Sequence, residues 1–427
     1  MPEANVATFR SYSRFSGLQA AWRRFQRGLA RPLTPYYLIL GSSALILVLG
    51  LMMVFSASQI QARLDGLPFD YYFKKQLISV VIGAGLMFLG VRLPVRTHRA
   101  LAYPLLLGVL VLLLAVMVPG VGVEVNGNRN WLRLGGFFQI QPSEFAKLAL
   151  VLWAADLLTR KQQMKTLGEW KHLLIPLVPV GFLLLALVLA GGDMGTAMII
   201  CALLFGLLWM AGAPARLFSA SALLALLASA VLIITVPHRL SRLGCIGATQ
   251  VGADGSCFQA VHGIWALASG GIFGTGIGAS VQKWGQLPEP HTDFIFAVTG
   301  EELGLAGTVS VLVLFAALGY AGIRVAVRTK EPFIRYAAGG ATTWIMAQAM
   351  INIGAVLGLL PIAGVPLPMF SYGGSALLPT MFAIGLLLCF ARSEPTAKAA
   401  LAARSKRRSK GNKQDRRRFL RRPHKER

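Results

Sequence analysis

The sequence predicts an all-α polytopic membrane protein, with about ten transmembrane helices and one long outer loop between spans 7 and 8. Three observations predict it. Apolar residues make up 55% of the 427 and charged residues 14%, whereas a soluble globular chain carries about 25% charged residues. Apolar runs recur at about 20 residues, the length that crosses a bilayer as a helix. The net charge of +25 is gathered at the ends, with 14 Lys/Arg after Ser393 and six before Pro35. Basicity of that kind marks tails and does not describe a nucleic-acid-binding domain.

Spans are predicted at 36–56, 75–92, 100–119, 143–159, 173–190, 194–213, 216–236, 299–323, 336–360 and 373–391. The first run, from Tyr36 to Phe55, is too long for a signal peptide's apolar core of about 7–15 residues. An even count puts both tails on one side, and their basicity makes that side the cytoplasm. The loops agree: Arg92, Arg96 and Arg99, then Arg160, Lys161, Lys165 and Lys171, then Arg216, then Arg324, Arg328, Lys330 and Arg335 fall inside. Lys74, Lys75, Arg129 and Arg133 are outer exceptions. The long outer loop runs from Pro237 to about Val298.

Three regions follow: a basic cytoplasmic tail (1–35), a membrane domain (36–392) and a disordered basic cytoplasmic tail (393–427). In the first, Phe15, Leu18, Trp22, Phe25 and Leu29 make one helical stripe interleaved with Arg14, Arg23, Arg24 and Arg27. Such a stripe suits an amphipathic helix lying on anionic lipid; a flexible basic tail is the alternative. The last region has no apolar period. Its cations suit anionic headgroups or topology signalling alone.

Ionisable groups inside a membrane domain are where function is sought. Four segments hold them. Gln141-Pro-Ser-Glu-Phe-Ala-Lys147 opens the fourth span, with Glu144 and Lys147 three apart and so on one helix face. They are either a self-neutralising pair or the polar wall of a cavity. Just upstream, Asn126–Gly135 carries Trp131, Arg129 and Arg133 on the outer side. Trp131 suits an interfacial belt, and the arginines suit an external anion. Asp193, in Gly191-Gly-Asp-Met-Gly-Thr196, is an N-cap or a cavity-facing carboxylate. The glycine-rich outer loop ends in Lys283-Trp-Gly-Gln-Leu-Pro-Glu-Pro-His-Thr-Asp-Phe-Ile-Phe296 and Gly300-Glu-Glu-Leu-Gly304. That places Glu289, His291, Asp293, Glu301 and Glu302 at the mouth of a span, either as helix-end groups or with one carboxylate as a general base. The fourth segment, Leu359 to Ser375, has three prolines and ends Ser371-Tyr-Gly-Gly-Ser375. Such irregular backbone at membrane depth must be protein-buried or line a cavity.

Together these segments resemble the SEDS family of shape, elongation, division and sporulation proteins, from about Tyr36 to Arg392. The Lys283-Trp-Gly-Gln-Leu-Pro-Glu stretch is more similar to the division branch than to the elongation branch, and the basic tail fits an actinobacterial member. Met369 stands where the family more often has Phe, and Cys245 to Cys257 looks like an insertion.

The resemblance implies a ten-span peptidoglycan glycosyltransferase at the division septum of a bacterial plasma membrane. It would polymerise lipid II on the outer face, with undecaprenyl pyrophosphate as leaving group. Its partners would be undecaprenyl pyrophosphate-linked glycan, a class B penicillin-binding protein transpeptidase and other division proteins. Asp293 matches the family's essential outer-loop aspartate and is the expected base. Trp131, Glu144, Lys147 and Asp193 match motif positions lining the polar cavity; Arg129, Glu289, His291, Ser371 and Ser375 are further candidates for substrate binding. Lys147, Arg129, Arg239 and Arg242 are candidates to stabilise the departing pyrophosphate. A divalent cation, Mg or Mn, is compatible with that role, although the sequence shows no dedicated ligand cluster.

Two rivals belong to other classes. A lipid II flippase would suit the intramembrane charges equally, but the polar groups open outward and include a loop carboxylate. A division scaffold would leave Glu144 and Lys147 unexplained. Cys245 and Cys257, placed outside the cytoplasm, are a disulfide candidate; two unpaired thiols are the alternative.

Overall fold

A computed structural model of the chain describes residues 23–24, 27–28, 31–125, 128–133, 135, 139–216, 218–219, 244–248, 250–252 and 257–403. The stripe of Phe15, Leu18, Trp22, Phe25 and Leu29, most of the predicted seventh span, Arg239, Arg242 and most of the C-terminal tail lie outside them.

Helices stand at each of the other predicted spans. They are α1 (Thr34–Leu64), α2 (Tyr71–Arg92), α4 (Ala102–Met117), α5 (Pro142–Gln163), α7 (Leu177–Ala190), α8 (Met194–Met210), α10 (Ile295–Arg328), α11 (Pro332–Val356) and α12 (Gly374–Ser393). Short helices α3 (Val95–Ala100) and α6 (Trp170–Leu174) lie in the predicted inner loops, and α9 (Phe258–Ser269) in the outer loop. Five described stretches are long and apolar enough to cross a membrane: Thr34–Leu64, Tyr71–Arg92, Lys171–Ala190, Ile295–Arg328 and Gly374–Ser393. Ala102–Met117 and Met194–Met210 are apolar but shorter.

The inner helices differ from the outer ones as the solvent dictates. The α1, α2 and α7 faces expose Leu45, Val48, Val81 and Phe182, as lipid-facing surfaces do. By contrast α5, with Glu144, Lys147 and Asp156, is buried along most of its length and packs on α4, α8, α11 and α12. Its charges are admitted to the bundle because each has a partner. At the predicted inner end, Asp156 pairs with Arg160 at 2.7 Å and with Arg99. Small residues permit the tightest crossing. A Cβ on Gly385 of α12 would lie 2.3 Å from the Met87 carbonyl oxygen of α2.

The structure corrects the all-α expectation in one place. The outer segment before α5 is a three-stranded antiparallel sheet, β1 (Gly122–Val125), β2 (Asn128–Arg133) and β3 (Gln139–Ile140). It pairs Val123 with Trp131 and Glu124 with Arg129. A hairpin is admissible because the segment lies outside the predicted spans, where sheet edges need not face lipid.

The outer loop is spliced into α10. At Gly304 (φ 68°, ψ −163°) the helix breaks, in a region of backbone space open in practice to glycine. Leu305 N and Ala306 N, which a straight helix would bond to Glu301 and Glu302, donate instead to the Gly271 and Ile272 carbonyls (2.9 and 3.1 Å). The vacated carbonyls of Glu301 and Glu302 accept from Thr275 N and Gly276 N (2.9 and 3.1 Å). All four groups freed by the kink are thus paired by the loop. The same loop begins at a disulfide joining Cys245 to Cys257.

Candidate active site

The four segments singled out from the sequence converge. Asp193 sits at the start of α8 and accepts from Thr196 N at 2.9 Å, as an N-cap does. Its other oxygen accepts from Gln141 Nε2 (2.6 Å) and Ser143 Oγ (2.7 Å) at the head of α5. The Gln141 backbone N donates to Ser375 Oγ at 2.8 Å, which ties α5 to α12. Of the two readings open for Asp193, the structure gives it the capping one.

Lys147 is 0% exposed and Glu144 2%, and they pair at 2.8 Å one helical turn apart. The Lys147 ammonium also donates to Gln348 Oε1 of α11 (2.9 Å) and lies 5.4 Å from the centre of the Trp344 ring. Trp344 Nε1 donates to the same Gln348 oxygen at 3.0 Å. Lys147 is therefore bonded to protein partners on both α5 and α11. A buried ammonium needs such acceptors where it lies.

The proline-rich segment is held by three amide side chains that the sequence reading missed. Gln348 Nε2 donates to the Pro366 carbonyl (2.9 Å). Asn352 Nδ2 donates to the carbonyls of Val365 and Asp293, both at 2.8 Å. Gln76 of α2 donates to the Ser371 carbonyl (3.2 Å) and accepts from Gly373 N (3.2 Å). Irregular backbone is tolerated there because its polar groups are answered from neighbouring helices. Ser371 Oγ accepts from Leu367 N at 2.8 Å, so both serines of the Ser-Tyr-Gly-Gly-Ser motif brace backbone. Their hydrogen bonds leave them buried, at 4% and 6% exposure.

Asp293 lies where the loop meets α10, half-buried. Its carboxylate reaches within 3.6 Å of the space a Cβ on Gly364 would fill, so it faces the proline-rich segment. Beside it His291 is buried, its ring 5.1 Å from Tyr72 and 5.3 Å from Tyr372, while its carbonyl accepts from Tyr372 N (2.9 Å). Burial pushes the His291 imidazole below its ordinary range, against the upward pull of Glu289 and Asp65. Burial, with Tyr71 beside it, pushes the Tyr372 phenol up to about 12. Both groups are neutral near pH 7. Glu289 is exposed and accepts from Thr292 Oγ1 at 2.9 Å.

Glu301 and Glu302 do not line a reaction site. Glu301 accepts from Val281 N (2.8 Å) and from Ser280 Oγ. Glu302 pairs with Lys283 at 2.7 Å and accepts from Ser56 of α1 at 2.7 and 2.8 Å. Both lie in the first turns of α10 and bond the loop from there. Trp131 and Arg129 are half-buried on β2. Among the described residues no three His, Cys, Asp or Glu side chains gather to hold a metal ion.

The arrangement sets the Asp293 carboxylate on a braced loop, close to irregular backbone, beside a polar-cored bundle. That is the equipment for taking a proton from an externally bound hydroxyl. Residues 36–395 match the family of cell cycle proteins designated FTSW_RODA_SPOVE. The chain is 41% identical over 380 residues to the probable peptidoglycan glycosyltransferase FtsW of Mycobacterium tuberculosis, covering 89% of this chain and 72% of that one. It is 36% identical to stage V sporulation protein E of Bacillus subtilis, covering 84% and 97%. Among solved structures it is similar to a chain from a study of polymerisation and crosslinking by a peptidoglycan synthase complex (TM-score 0.67, 28% identity, 84% and 97% covered). It is also similar to the rod shape determining protein RodA of Thermus thermophilus (TM-score 0.63, 28% identity, 84% and 97% covered).

Proposed function

We propose a mechanism from one premise: this chain belongs to the FtsW/RodA/SpoVE family of cell cycle proteins, and as a multi-pass membrane enzyme it is a peptidoglycan glycosyltransferase. Its substrate is lipid II, and the reaction joins the GlcNAc 4-hydroxyl of an incoming lipid II to a growing lipid-linked chain. Undecaprenyl pyrophosphate leaves, and the α-linked donor becomes a β-1,4 link. Asp293 takes the hydroxyl proton. The observation that carries this assignment is its position: half-buried at the outer mouth of α10, facing Gly364, with its backbone pinned by Asn352. The departing pyrophosphate needs positive charge. Arg129 on the outer sheet is the described candidate, now that Lys147 is engaged in the core. Glu289 and His291 border the same site, and Trp131 of the sheet is a further candidate for substrate contact.

The membrane domain spans residues 36–392 in ten passes, with the basic tails in the cytoplasm and the Asp293 loop outside. A class B penicillin-binding protein takes the product strand for cross-linking at the septum. Purified protein supplied with lipid II in detergent forms glycan polymer, resolved by length on a gel. A flippase or a scaffold forms none, and absence of polymer from well-folded protein would reject the enzymatic reading.

A further inference from the structure

The buried triad of Lys283, Glu302 and Ser56 plays no part in the chemistry above, yet it joins three elements distant in sequence. The Lys283 ammonium is 2.7 Å from Glu302 Oε1, 3.0 Å from Ser56 Oγ and 2.8 Å from the Gly278 carbonyl. Lys283 is 4% exposed, Ser56 4% and Glu302 1%. Ser56 belongs to α1, Glu302 to the first turns of α10, and Lys283 to the spliced loop. The Lys283–Glu302 contact therefore closes a ring running from 283 through Asp293 into α10. Leu287 N of that ring bonds the Gln282 carbonyl just before it (2.9 Å), and Leu287 and Phe294, both within the ring, are buried. Glu301 holds the same loop from the neighbouring position, through Val281 N and Ser280.

We propose that Lys283 is a positioning residue for glycosyl transfer: with Glu302 and Ser56 it latches the outer loop to α1 and α10 and so fixes where the Asp293 carboxylate stands. The inference rests on the reading that this loop carries the reacting base. The backbone splice at Gly271–Gly276 fixes only the loop's first part, and Asn352 and the Tyr72–Tyr372 pair fix only its end. The latch holds the middle together with Glu301, which accepts from Val281 N and Ser280 Oγ, and with the His262–Gln282 contact at 2.7 Å. Without it the segment from Lys283 to Thr292 gains freedom that the remaining bonds of Glu301 to Val281 N and of Gln259 to the Pro288 carbonyl only partly restrict. A displacement of about 1 Å at a reacting group lowers a rate on the order of 100-fold. A misplaced base slows the chemical step and leaves ground-state binding of lipid II in place.

The test is steady-state polymerisation of lipid II by the purified full chain, with folding followed by thermal melting. The Lys283→Met/Glu302→Gln double variant removes both charges together, so neither is left buried alone. Its expected kcat is about 100-fold lower, with KM for lipid II within about twofold. Ser56→Ala keeps the ion pair but frees it from α1. Its kcat falls by less than the double variant's, on the order of tenfold for a partial displacement of the base, and Ser56→Thr restores it. The proposal is overturned by a folded double variant with wild-type kcat, by a loss confined to KM, or by Ser56→Ala at full rate. Asp293→Asn run in parallel separates the two claims. If Asp293→Asn stays active, the base assignment fails; if it is inactive while the latch variants keep full rate, the latch alone fails.

Discussion

Two buried Lys–Glu pairs of nearly equal geometry serve different ends. Lys147–Glu144 lies three residues apart on one helix, at 2.8 Å, in the middle of the bundle. Lys283–Glu302 lies 19 residues apart, at 2.7 Å, between a loop and a helix. The first pair is local, so the helix itself presents it and it constrains nothing beyond α5 and its contact with Gln348 of α11. The second crosses elements, joining the loop to α10 and, through Ser56, to α1. Buried ion pairs of equal length can thus act on stability in one place and on geometry in another, and only what each one joins tells them apart.

The sharpest way to break this comparison is Lys147→Met. It leaves Glu144 buried with its Oε2 bereft of its ionic partner, and that oxygen accepts no hydrogen bond among the described residues. Removing one partner of a well-buried pair costs about 3–5 kcal/mol. The expected result is protein that melts early or is lost before purification, measured by fluorescence-detected size exclusion across temperature. A Lys147→Met variant that melts like wild type but cannot polymerise would give Lys147 a direct role with substrate.

A second test acts on the loop's other anchor. The Cys245–Cys257 disulfide closes a ring of about 13 residues, worth roughly 3 kcal/mol in the loop-entropy model. Its Gly247 N bonds the Gly358 carbonyl beyond α11 (3.0 Å). Cys245→Ser/Cys257→Ser is expected to lower the melting temperature while the folded fraction keeps its kcat, since the latch is intact. Alkylation of both native cysteines without reductant would contradict the bond.

The smallest effect concerns pH. The His291 imidazole is held below its ordinary value by burial, so below about pH 6.5 the unfolded chain takes up a proton that the folded chain resists. Its contribution is present above that pH and is lost as pH falls towards the depressed folded value. Glu289 and Asp65 oppose the shift, and Tyr72 and Tyr372 flank the ring. The melting temperature should fall more steeply below pH 6.5 in wild type than in His291→Phe, which keeps the stacking and cannot titrate. Equal slopes would remove His291 from the acid response.

The helices were legible because lipid demands long apolar runs, and α1, α2, α7, α10 and α12 stand where those runs are. Glu144 next to Lys147 was legible through helical spacing. The outer sheet was not, because Gly122–Val125 and Asn128–Arg133 are too short for a period to show. The loop splice was hidden for a different reason: its bonds at Gly271–Gly276 are backbone to backbone and leave no mark on side-chain choice, save the glycines themselves. Gln76, Gln348 and Asn352 stand in the sequence as single amides in apolar helices, and an intramembrane amide is itself a sign of backbone to be satisfied. Lys283 and Glu302 were both noticed, but nothing in their 19-residue spacing joins them, and Ser56 carries no signal at all.

The central claim is that Asp293 is the base of a lipid II polymerase, and the most direct measurement is the initial polymerisation rate of purified Asp293→Asn on lipid II, with melting temperature as the control. The substitution keeps the size of the side chain and the backbone bond to Asn352. The account predicts an unchanged melting temperature and a rate lower by about 10²–10⁴-fold. A folded Asp293→Asn protein polymerising at near wild-type rate would contradict it.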